Sequence, residues 1–390
     1  MGLPYTVISG YAGSGKSTLI TFIIAALGLP PDKIAYVAYT GKAANVLKQK
    51  GCPNPTTAHK LLYYAKQLPN GKFLFEPKKK LDDDYKLIVV DEVSMLPKDM
   101  WYLLLSHGVY VIACGDPGQL PPINKDQRND VLDRPHIFLD EIMRQAQDSA
   151  IIRLSMHIRE GNDFRTFPTV SGEVRIIPHK QELFNNEDDY RSCLLGAGQI
   201  ICSTNAQRNS LNKAVRAFQG RGPEPEIGDK VIGLTNHWDF FSEQFSALTN
   251  GAIGTLVEFN EYIETYPPRL NIPNVRLLIS DIQMDDDDMF YEVPIDYNQM
   301  ITGDPSLSPQ QLYKLNSYVK NYKGPALTPF IPYDFVYGYA ITCWKAQGSE
   351  WENILGFDAG WVRNKNKEEY IQYLYTLVTR ASKMVILVGD

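Results

Sequence analysis

The segment Gly10–Ser17 constrains the fold of this chain more than any other part of its sequence. It reads Gly-Tyr-Ala-Gly-Ser-Gly-Lys-Ser and matches the pattern G-x-x-x-x-G-K-[ST] at every fixed position. A short apolar strand, Thr6–Ser9, is predicted before it, and an apolar helix is predicted from Ser17 to about Leu27. Glycines in this setting let backbone N–H groups face a triphosphate, and the helix dipole adds positive potential. The pattern predicts a phosphate-binding loop; the alternative is a glycine-rich structural turn.

The side chains of this loop have separate predicted roles. Lys16 is expected to reach the β- and γ-phosphates of ATP, and Ser17 is expected to ligate Mg²⁺. The other predicted nucleotide contacts come from the loop and the first helical turn, namely Gly10, Ala12, Gly13, Ser14, Gly15 and Thr18. ATP and Mg²⁺ are therefore the predicted substrate and cofactor.

Two carboxylates follow the apolar run Leu87–Val90. Asp91 is predicted to hold Mg²⁺ through water, and Glu92 to orient and deprotonate the attacking water. Strands often end in acids, but together with the loop this pair favours a hydrolase over a nucleotide kinase. Gln119 follows a third apolar strand, Val109–Cys114. It is either a sensor of the γ-phosphate at the carboxyl edge of a parallel sheet or part of a simple turn.

Alternating strands and helices predict an α/β protein built on parallel sheets. A second α/β block begins near Asp148, and short β-like runs with many prolines predict a β-rich insertion between residues 255 and 332. An Asn70-Gly71 turn signal within residues 66–81 predicts a small hairpin in the first block. Further predicted elements are the strands Ile34–Ala38, Gln199–Cys202, Phe335–Thr342 and Val385–Val388 and the helices Ala43–Lys50, Ile151–Ile158 and Asn205–Phe218.

Composition excludes some classes of function. The five cysteines form no CxxC pair, which argues against a zinc or iron–sulfur site and for reduced thiols in the cytoplasm. The longest apolar run, Leu19–Leu29, is far short of a membrane span, and no signal peptide is expected. The net charge of −6 argues weakly against binding to nucleic acid, although part of the negative charge lies in the acidic runs Asp82–Asp84 and Asp285–Asp288. These runs are expected to be solvated loops, since neither has the spacing of a calcium loop.

Further segments make the chain resemble the RecD-like branch of the superfamily 1B DNA helicases, which includes phage helicases of the Dda type. The matching segments run in order through nearly the whole chain: GYAGSGKST, AYTGKAA, TTAHKLL, VVDEVSML, GDPGQLPPI, DEIMRQ, ICSTNAQRNSLN, LTNGAIGTL, YAITCWKAQGSEW and YTLVTRAS. The resemblance implies two RecA-like P-loop NTPase cores. A β-hairpin insertion is expected in the first core, and a β-rich, SH3-like insertion in the second.

The resemblance also assigns residues that residue chemistry alone does not. Arg144 and Arg380 match two arginines that the family projects onto the γ-phosphate, and Gly348 and Glu350 match its nucleotide site. The residues matching the DNA path, or its coupling to ATP, are Thr40, Lys42, Thr57, His59, Asn205, Trp344, Lys345 and Gln347. Without the family, Arg144 and Arg380 would be interpreted as structural arginines and His59 as a core histidine.

Two departures from the family matter. Relatives carry a glutamine that reads adenine on a helix before the loop, whereas nine residues precede Gly10, so base specificity is not predicted. Relatives commonly have histidine where Trp344 stands, and an indole has no acceptor nitrogen. We therefore expect Trp344 to stack on a base or a neighbouring ring.

The resemblance leads to a specific hypothesis of organisation and activity. The cores are predicted at residues 1–145, with the hairpin at about 60–81, and at residues 146–254 with 334–390; residues 255–333 form the insertion. The predicted activity is 5′–3′ translocation on single-stranded DNA with unwinding at single/double-strand junctions. Replication or recombination proteins are expected as further partners, and no membrane association is expected. Phe73 and Phe75 share one face at strand period and either stack where the duplex splits or pack on the domain beneath. Lys78–Lys80 either hold phosphates or form a solvated face.

Two rival activities share the predicted ATP site. The first is an ATPase that moves along nucleic acid, or remodels its complexes with proteins, without unwinding duplex. The second is a slow regulatory nucleotide switch, in which ATP turnover does not respond to single-stranded DNA.

Overall fold

The computed structural model describes residues 4–67, 73–121, 128–143, 148–235, 248, 250–285, 289–322 and 329–390. These residues form two compact units. The first unit comprises Met1–Leu62, Pro77–Thr204 and Ile341–Asp390, and the second comprises Tyr63–Glu76 and Asn205–Ala340. This division differs from the predicted arrangement of two cores with insertions, whose boundaries stay a prediction.

The strands, in chain order, are β1 (Tyr5–Gly10), β2 (Ile34–Ala38), β3 (Thr56–Thr57), β4 (Tyr63–Gln67), β5 (Phe73–Pro77), β6 (Leu87–Val90), β7 (Tyr110–Gly115), β8 (Ile137–Leu139), β9 (Val174–Ile177), β10 (Gln199–Cys202), β11 (Lys230–Gly233), β12 (Ile253–Glu264), β13 (Val275–Met284), β14 (Met289–Asp296), β15 (Phe335–Tyr337), β16 (Ala340–Thr342), β17 (Trp351–Phe357) and β18 (Ala381–Val388).

The helices, in chain order, are α1 (Lys16–Leu27), α2 (Gly41–Gln49), α3 (Ala58–Leu62), α4 (Lys98–Ser106), α5 (Ala150–Arg159), α6 (Lys180–Phe184), α7 (Glu187–Gly196), α8 (Asn205–Phe218), α9 (Tyr297–Thr302), α10 (Pro309–Lys320), α11 (Cys343–Ala346), α12 (Gly360–Arg363) and α13 (Lys367–Val378).

Two parallel sheets organise the first unit, as the sequence predicts. The first sheet has the strand order β3-β2-β6-β7-β1-β8, and its pairs are parallel. The second has the order β16-β10-β17-β18-β9, in which β10, β17, β18 and β9 pair in parallel. Strands β2 and β6 are buried along their whole length, which explains their continuous apolar sequence. The carboxyl ends of β1, β6 and β7 meet at one edge, where the phosphate-binding loop begins.

The second unit is built on an antiparallel sheet with the order β14-β13-β12-β11-β15. This confirms the β-rich character predicted for the region. Its buried core includes Leu256, Leu278 and Phe335. The region also contains the helices α9 and α10, which the sequence analysis does not predict. Helix α10 begins with a capping box, in which Ser308 accepts from the Gln311 N–H and the Gln311 side chain accepts from the Ser308 N–H.

Strands β4 and β5 pair with each other in the region where the hairpin is predicted. Its Asn70-Gly71 tip lies outside the described residues, as do the side chains of Phe73 and Phe75. The interpretation of Lys78–Lys80 as one solvated face is wrong for Lys78, while Lys79 and Lys80 are exposed and their phosphate-holding role stays a prediction. Lys78 is buried, donating to the Lys60 carbonyl at 2.9 Å and pairing with Asp82, because its chain returns to the first sheet there.

Candidate nucleotide site

The loop between β1 and α1 has a backbone that requires glycine. Gly13 and Gly15 have φ values of 77° and 85°, which side chains rarely adopt. A Cβ added to Gly10 would lie 2.6 Å from Ser14 Oγ and 2.9 Å from the Leu139 carbonyl oxygen. The Ser14 hydroxyl is itself buried and has no hydrogen-bond partner within the described part of the chain. A buried polar group of this kind is costly unless a ligand satisfies it, which fits a loop built for phosphate.

Lys16 begins α1, and its ammonium group lies within the same loop. Its Nζ donates to the carbonyl oxygens of Gly10 at 2.6 Å and of Tyr11 at 2.9 Å. The carboxylate of Asp116, which follows β7, lies 3.9 Å away. These contacts keep the ammonium group beside the glycine-rich backbone, as its predicted role requires.

Strand β6 places Asp91 and Glu92 beside the loop. The Asp91 Oδ1 accepts from the Glu92 N–H at 3.0 Å and from the Cys114 thiol at 3.2 Å. Burial raises the pKa of Cys114 well above its usual value, so this thiol keeps its proton and donates it. A backbone N–H and a thiol therefore orient Asp91 at the carboxyl edge of the sheet.

Glu92 has a left-handed backbone, with φ of 49°, and a half-buried side chain whose Oε2 atom is buried. Burial raises the pKa of Glu92, the nearby charge of Asp91 raises it further, and Arg380 opposes the shift. The Gln119 Nε2 lies 3.4 Å from Glu92 Oε1, while Glu92 Oε2 and Gln119 Oε1 are buried without partners among the described atoms. Glu92 and Gln119 therefore lie side by side, each with an oxygen that could accept a hydrogen bond from a water.

Helix α13 contacts the loop through residues that the sequence analysis did not single out. The Tyr375 hydroxyl donates to Asp116 Oδ2 at 2.8 Å and accepts from the Ala12 N–H at 2.7 Å. The next residue, Thr376, accepts from the Leu120 N–H at 2.8 Å. Both lie in the segment YTLVTRAS, where the resemblance drew attention only to Arg380. Helix α13 thereby contributes a hydroxyl that bridges the loop and the segment after β7.

Arg380 follows α13 and is buried. Its Nε donates to the Thr376 carbonyl at 3.1 Å, and its Nη1 donates to the Ser349 carbonyl at 3.2 Å. Its positive charge opposes the rise in the pKa of Glu92, the predicted catalytic carboxylate. The other predicted arginine, Arg144, lies outside the described residues.

Arg159, at the end of α5, is another residue that the sequence analysis missed. Its guanidinium lies 3.6 Å from the centroid of the Tyr11 ring in the loop, a cation–π contact. It borders a cavity of about 430 Å³ lined by Tyr11, Pro117, Gly118, Arg159, Lys367, Glu368, Ile371 and Gln372. The loop is thus contacted by α5 as well as by α13.

The residues predicted for the DNA path divide between the two units. Thr40 caps α2 by accepting from the Ala43 N–H at 3.2 Å, and Thr57 accepts from the Lys60 N–H at 3.2 Å. Burial lowers the pKa of His59, whose ring centroid lies 5.7 Å from that of Tyr39. Asn205 is exposed at the start of α8 in the second unit. The side chain of Lys42 lies outside the described residues.

The segment after β16 contacts residues beside the predicted nucleotide site and beside the predicted DNA path, within the first unit. Gln347 is buried and donates to the Leu120 carbonyl at 2.6 Å. Gly348 has φ of 72°, and a Cβ there would lie 3.2 Å from the Cβ of Ala43 at the start of α2. The half-buried Trp344 has its ring centroid 6.3 Å from that of Tyr373 with the ring planes tilted by 47°, and its stacking role stays a prediction. Lys345 is half-buried and Glu350 exposed, so their predicted roles stay predictions.

The described ranges contain neither a metal-binding cluster nor a membrane-spanning helix. No group of three or more His, Cys, Asp or Glu side chains is placed to hold a metal ion. No helix in that part of the chain is long and apolar enough to cross a membrane.

Replacing Tyr375 with phenylalanine is expected to weaken nucleotide binding as well as stability. The variant leaves the Ala12 N–H and the Asp116 carboxylate without their shared partner, at a cost of about 1–3 kcal/mol in unfolding free energy. Urea unfolding and titration with ATP measure the two effects. Tyr373→Phe is the matched control, because Tyr373 donates from the same helix to the Phe357 carbonyl, away from the loop. Equal nucleotide affinity in the two variants would show that Tyr375 has only a structural role.

Comparison with known proteins agrees with this geometry. A family model described as an AAA domain matches residues 2–177, and one described as a UvrD-like helicase C-terminal domain matches residues 337–388. The chain is 33% identical to the ATP-dependent RecD2 DNA helicase of Deinococcus radiodurans, over 90% of this chain and 42% of that protein. It is 24% identical to the ATP-dependent DNA helicase Dda of Enterobacteria phage T4, over 81% of this chain and 75% of that protein.

A solved structure shares the fold. The Pif1 helicase from Bacteroides in complex with ADP-AlF3 and ssDNA matches with a TM-score of 0.51 at 17% identity, covering 99% of this chain and 88% of that one. The chain spans less than half the length of the RecD2 relative.

Proposed function

The chain belongs to the superfamily 1B helicases of the RecD, Pif1 and Dda group, and we propose that it is an ATP-dependent DNA helicase. In this proposal, ATP hydrolysis is coupled to 5′–3′ movement along single-stranded DNA and to duplex unwinding. The observation that carries the proposal is the set of contacts around the loop. Lys16, Asp116 and Tyr375 form one connected group there, with Glu92 and Arg380 beside it.

The first proposed step is the binding of ATP by the loop. Its backbone N–H groups and the Lys16 ammonium would hold the phosphates, with Ser14 among the polar groups available to them. The Ser17 hydroxyl and the Asp91 carboxylate would hold Mg²⁺, and oxygen donors of this kind suit that ion. Bound Mg²⁺ would neutralise charge on the β- and γ-phosphate oxygens.

Hydrolysis is assigned to residues around Glu92. The raised pKa of this buried carboxylate strengthens it as a base toward the attacking water, which Gln119 would help to orient. Arg380, with Arg144 from the resemblance, would stabilise the charge that develops on the γ-phosphate.

Coupling to DNA is proposed to pass through the contacts between the second sheet and the loop. Tyr375, Thr376 and Gln347 join the elements around α13 and α11 to the loop and the segment after β7. The two RecA-like cores would close around ATP and reopen after hydrolysis, and their affinities for the single strand would change in alternation. The cores are proposed at residues 1–145 and 146–254 with 334–390, and an SH3-like insertion at 255–333.

The first test is ATP turnover with and without saturating single-stranded DNA. Strong stimulation is expected. Turnover unaffected by DNA would support a slow nucleotide switch instead. Stimulation without strand separation on any tailed duplex would support an ATPase that remodels protein–DNA complexes.

Unwinding is expected to depend on the polarity of the single-stranded tail. A partial duplex with a 5′ tail should be separated, and the same duplex with only a 3′ tail should not. The expectation comes from membership of the RecD-like branch. A strand-displacement assay with matched tail lengths measures it, with a blunt duplex as control. Preferential separation of the 3′-tailed substrate would contradict the proposed direction.

The hairpin is proposed to separate the strands, and its removal should affect unwinding alone. Residues Lys66–Glu76 would be replaced by a short Gly/Ser linker, sparing Lys78 because its buried contacts support the first sheet. DNA-stimulated ATPase and displacement of a protein block from single-stranded DNA should stay largely intact, while strand separation collapses.

The matched control for the hairpin removes charge but keeps the strands. Lys79 and Lys80 are both exposed, so their double replacement by alanine tests a phosphate-holding role separately. Wild-type unwinding by the linker variant would show that the hairpin is not the strand-separating element.

A further inference from the structure

Trp361 lies exposed at the carboxyl edge of the second parallel sheet. It belongs to α12, which follows β17, and 44% of its surface is exposed. Its indole N–H donates to the Ser203 hydroxyl at 3.0 Å. Ser203 comes directly after β10, the parallel neighbour of β17. The ring is therefore anchored to the ends of two adjacent strands while much of it faces solvent.

Positive side chains follow this ring in the sequence. The Lys365 ammonium lies 5.2 Å from the Trp361 ring centroid. Arg363, Lys365 and Lys367 are all exposed. Glu368 and Glu369 come next in the first turn of α13, which begins at Lys367. The Asn366 side chain caps this helix by accepting from their backbone N–H groups at 3.1 and 3.2 Å. Lysine is depleted at protein interfaces, so a ring among cations suits a polyanion better than a protein partner.

The position of the ring also agrees with the proposed DNA path. Ser203 precedes Asn205 by two residues in the segment ICSTNAQRNSLN. Carboxyl ends of parallel strands share one edge of a sheet, so Trp361 lies beside the strand end that leads into this segment. An exposed aromatic ring with flanking cations is the combination that binds single strands without sequence preference.

We propose that Trp361 stacks on a base of the bound single-stranded DNA and that Arg363 and Lys365 contact the adjacent phosphates. This inference rests on the proposed function and adds a binding residue that no matched motif assigns. The Ser203 hydroxyl fixes the orientation of the indole by accepting its N–H, and the Lys365 ammonium lies over the ring.

Crosslinking tests the contact in the wild-type protein. An oligothymidine carrying 5-iododeoxyuridine is bound, irradiated and digested, and the crosslinked residue is identified by mass spectrometry. A crosslink at Trp361 is expected. Crosslinks to other residues and none to Trp361 would overturn the inference.

Affinity provides the second measurement. Trp361→Ala is expected to weaken the binding of oligothymidine on the order of tenfold, since one stacked base is lost. Trp361→Phe should stay within about threefold of wild type because it keeps a ring. Lys365→Ala should lower the slope of log affinity against log salt by about 1. Tyr102→Ala is the control, because Tyr102 on α4 is 59% exposed and has no assigned contact with DNA.

The outcomes separate this inference from the proposed function. Wild-type affinity in Trp361→Ala, with ATPase still stimulated by DNA, would overturn the role of Trp361 alone. A wild-type protein that neither binds oligothymidine nor responds to it would overturn both. If Trp361→Ala does not fold, the Phe variant and the wild-type crosslink decide.

Discussion

Replacing Lys16 with alanine is expected to reduce ATP turnover on the order of 10³-fold or more, because the change deletes a preorganised positive group at the phosphates. The ammonium contributes charge-assisted contacts that a methyl group cannot make. Binding of single-stranded DNA without nucleotide should stay near wild type. Steady-state ATPase and oligothymidine binding are measured on the same preparation.

The same variant requires a check on folding. Lys16 also donates to the Gly10 and Tyr11 carbonyls and lies near the buried Asp116 carboxylate, so its loss affects the loop itself. Urea unfolding therefore accompanies the kinetics. Lys48→Ala is the control, since Lys48 is an exposed lysine in the last turn of α2. Substantial ATPase activity in a folded Lys16→Ala protein would overturn the assignment of the site.

Local sequence predicts the secondary structure around the site well. The predicted strands Ile34–Ala38, Leu87–Val90 and Gln199–Cys202 and the helix Asn205–Phe218 have the observed bounds. The three strands are buried along their length, so their limits coincide with the ends of apolar runs. Most other elements differ by a residue or two at their ends, where hydrogen bonding of the chain is weakest. Two predictions were wrong by more: β18 begins at Ala381 instead of Val385, and the predicted strand Phe335–Thr342 is two strands, β15 and β16, in different sheets.

Long-range contacts explain most of what the sequence did not predict. The hydrogen bond between Ala12 and Tyr375 joins residues 363 positions apart, and no local pattern marks it. Lys78 stands in a lysine run that resembles a solvated face, yet tertiary contacts bury it against Asp82. Helix α10 is different, because Ser308, Pro309 and Gln311 form a start signal that sequence analysis could have used.

Replacing Arg380 with alanine is expected to lower turnover on the order of 10³-fold while nucleotide affinity falls only modestly. A guanidinium that acts mainly on the charge of the transition state contributes little to the binding of the ground state. Arg380 is buried, donates to the Ser349 and Thr376 carbonyls, and acts on the pKa of Glu92. The resemblance predicts the same result for Arg144→Ala.

Measuring single-turnover hydrolysis together with nucleotide binding separates the effect on turnover from the effect on nucleotide affinity. Arg380→Lys should recover only part of the rate, because an ammonium group keeps the charge but lacks the planar fork of a guanidinium. Arg153→Ala is the matched control, since Arg153 is an exposed arginine on α5. Urea unfolding must show that Arg380→Ala is folded, because the change removes a buried side chain. If turnover in either arginine variant stays within about threefold of wild type, that arginine is not part of the mechanism. A threefold change in rate corresponds to an activation free energy well below the roughly 1.4 kcal/mol of a tenfold change.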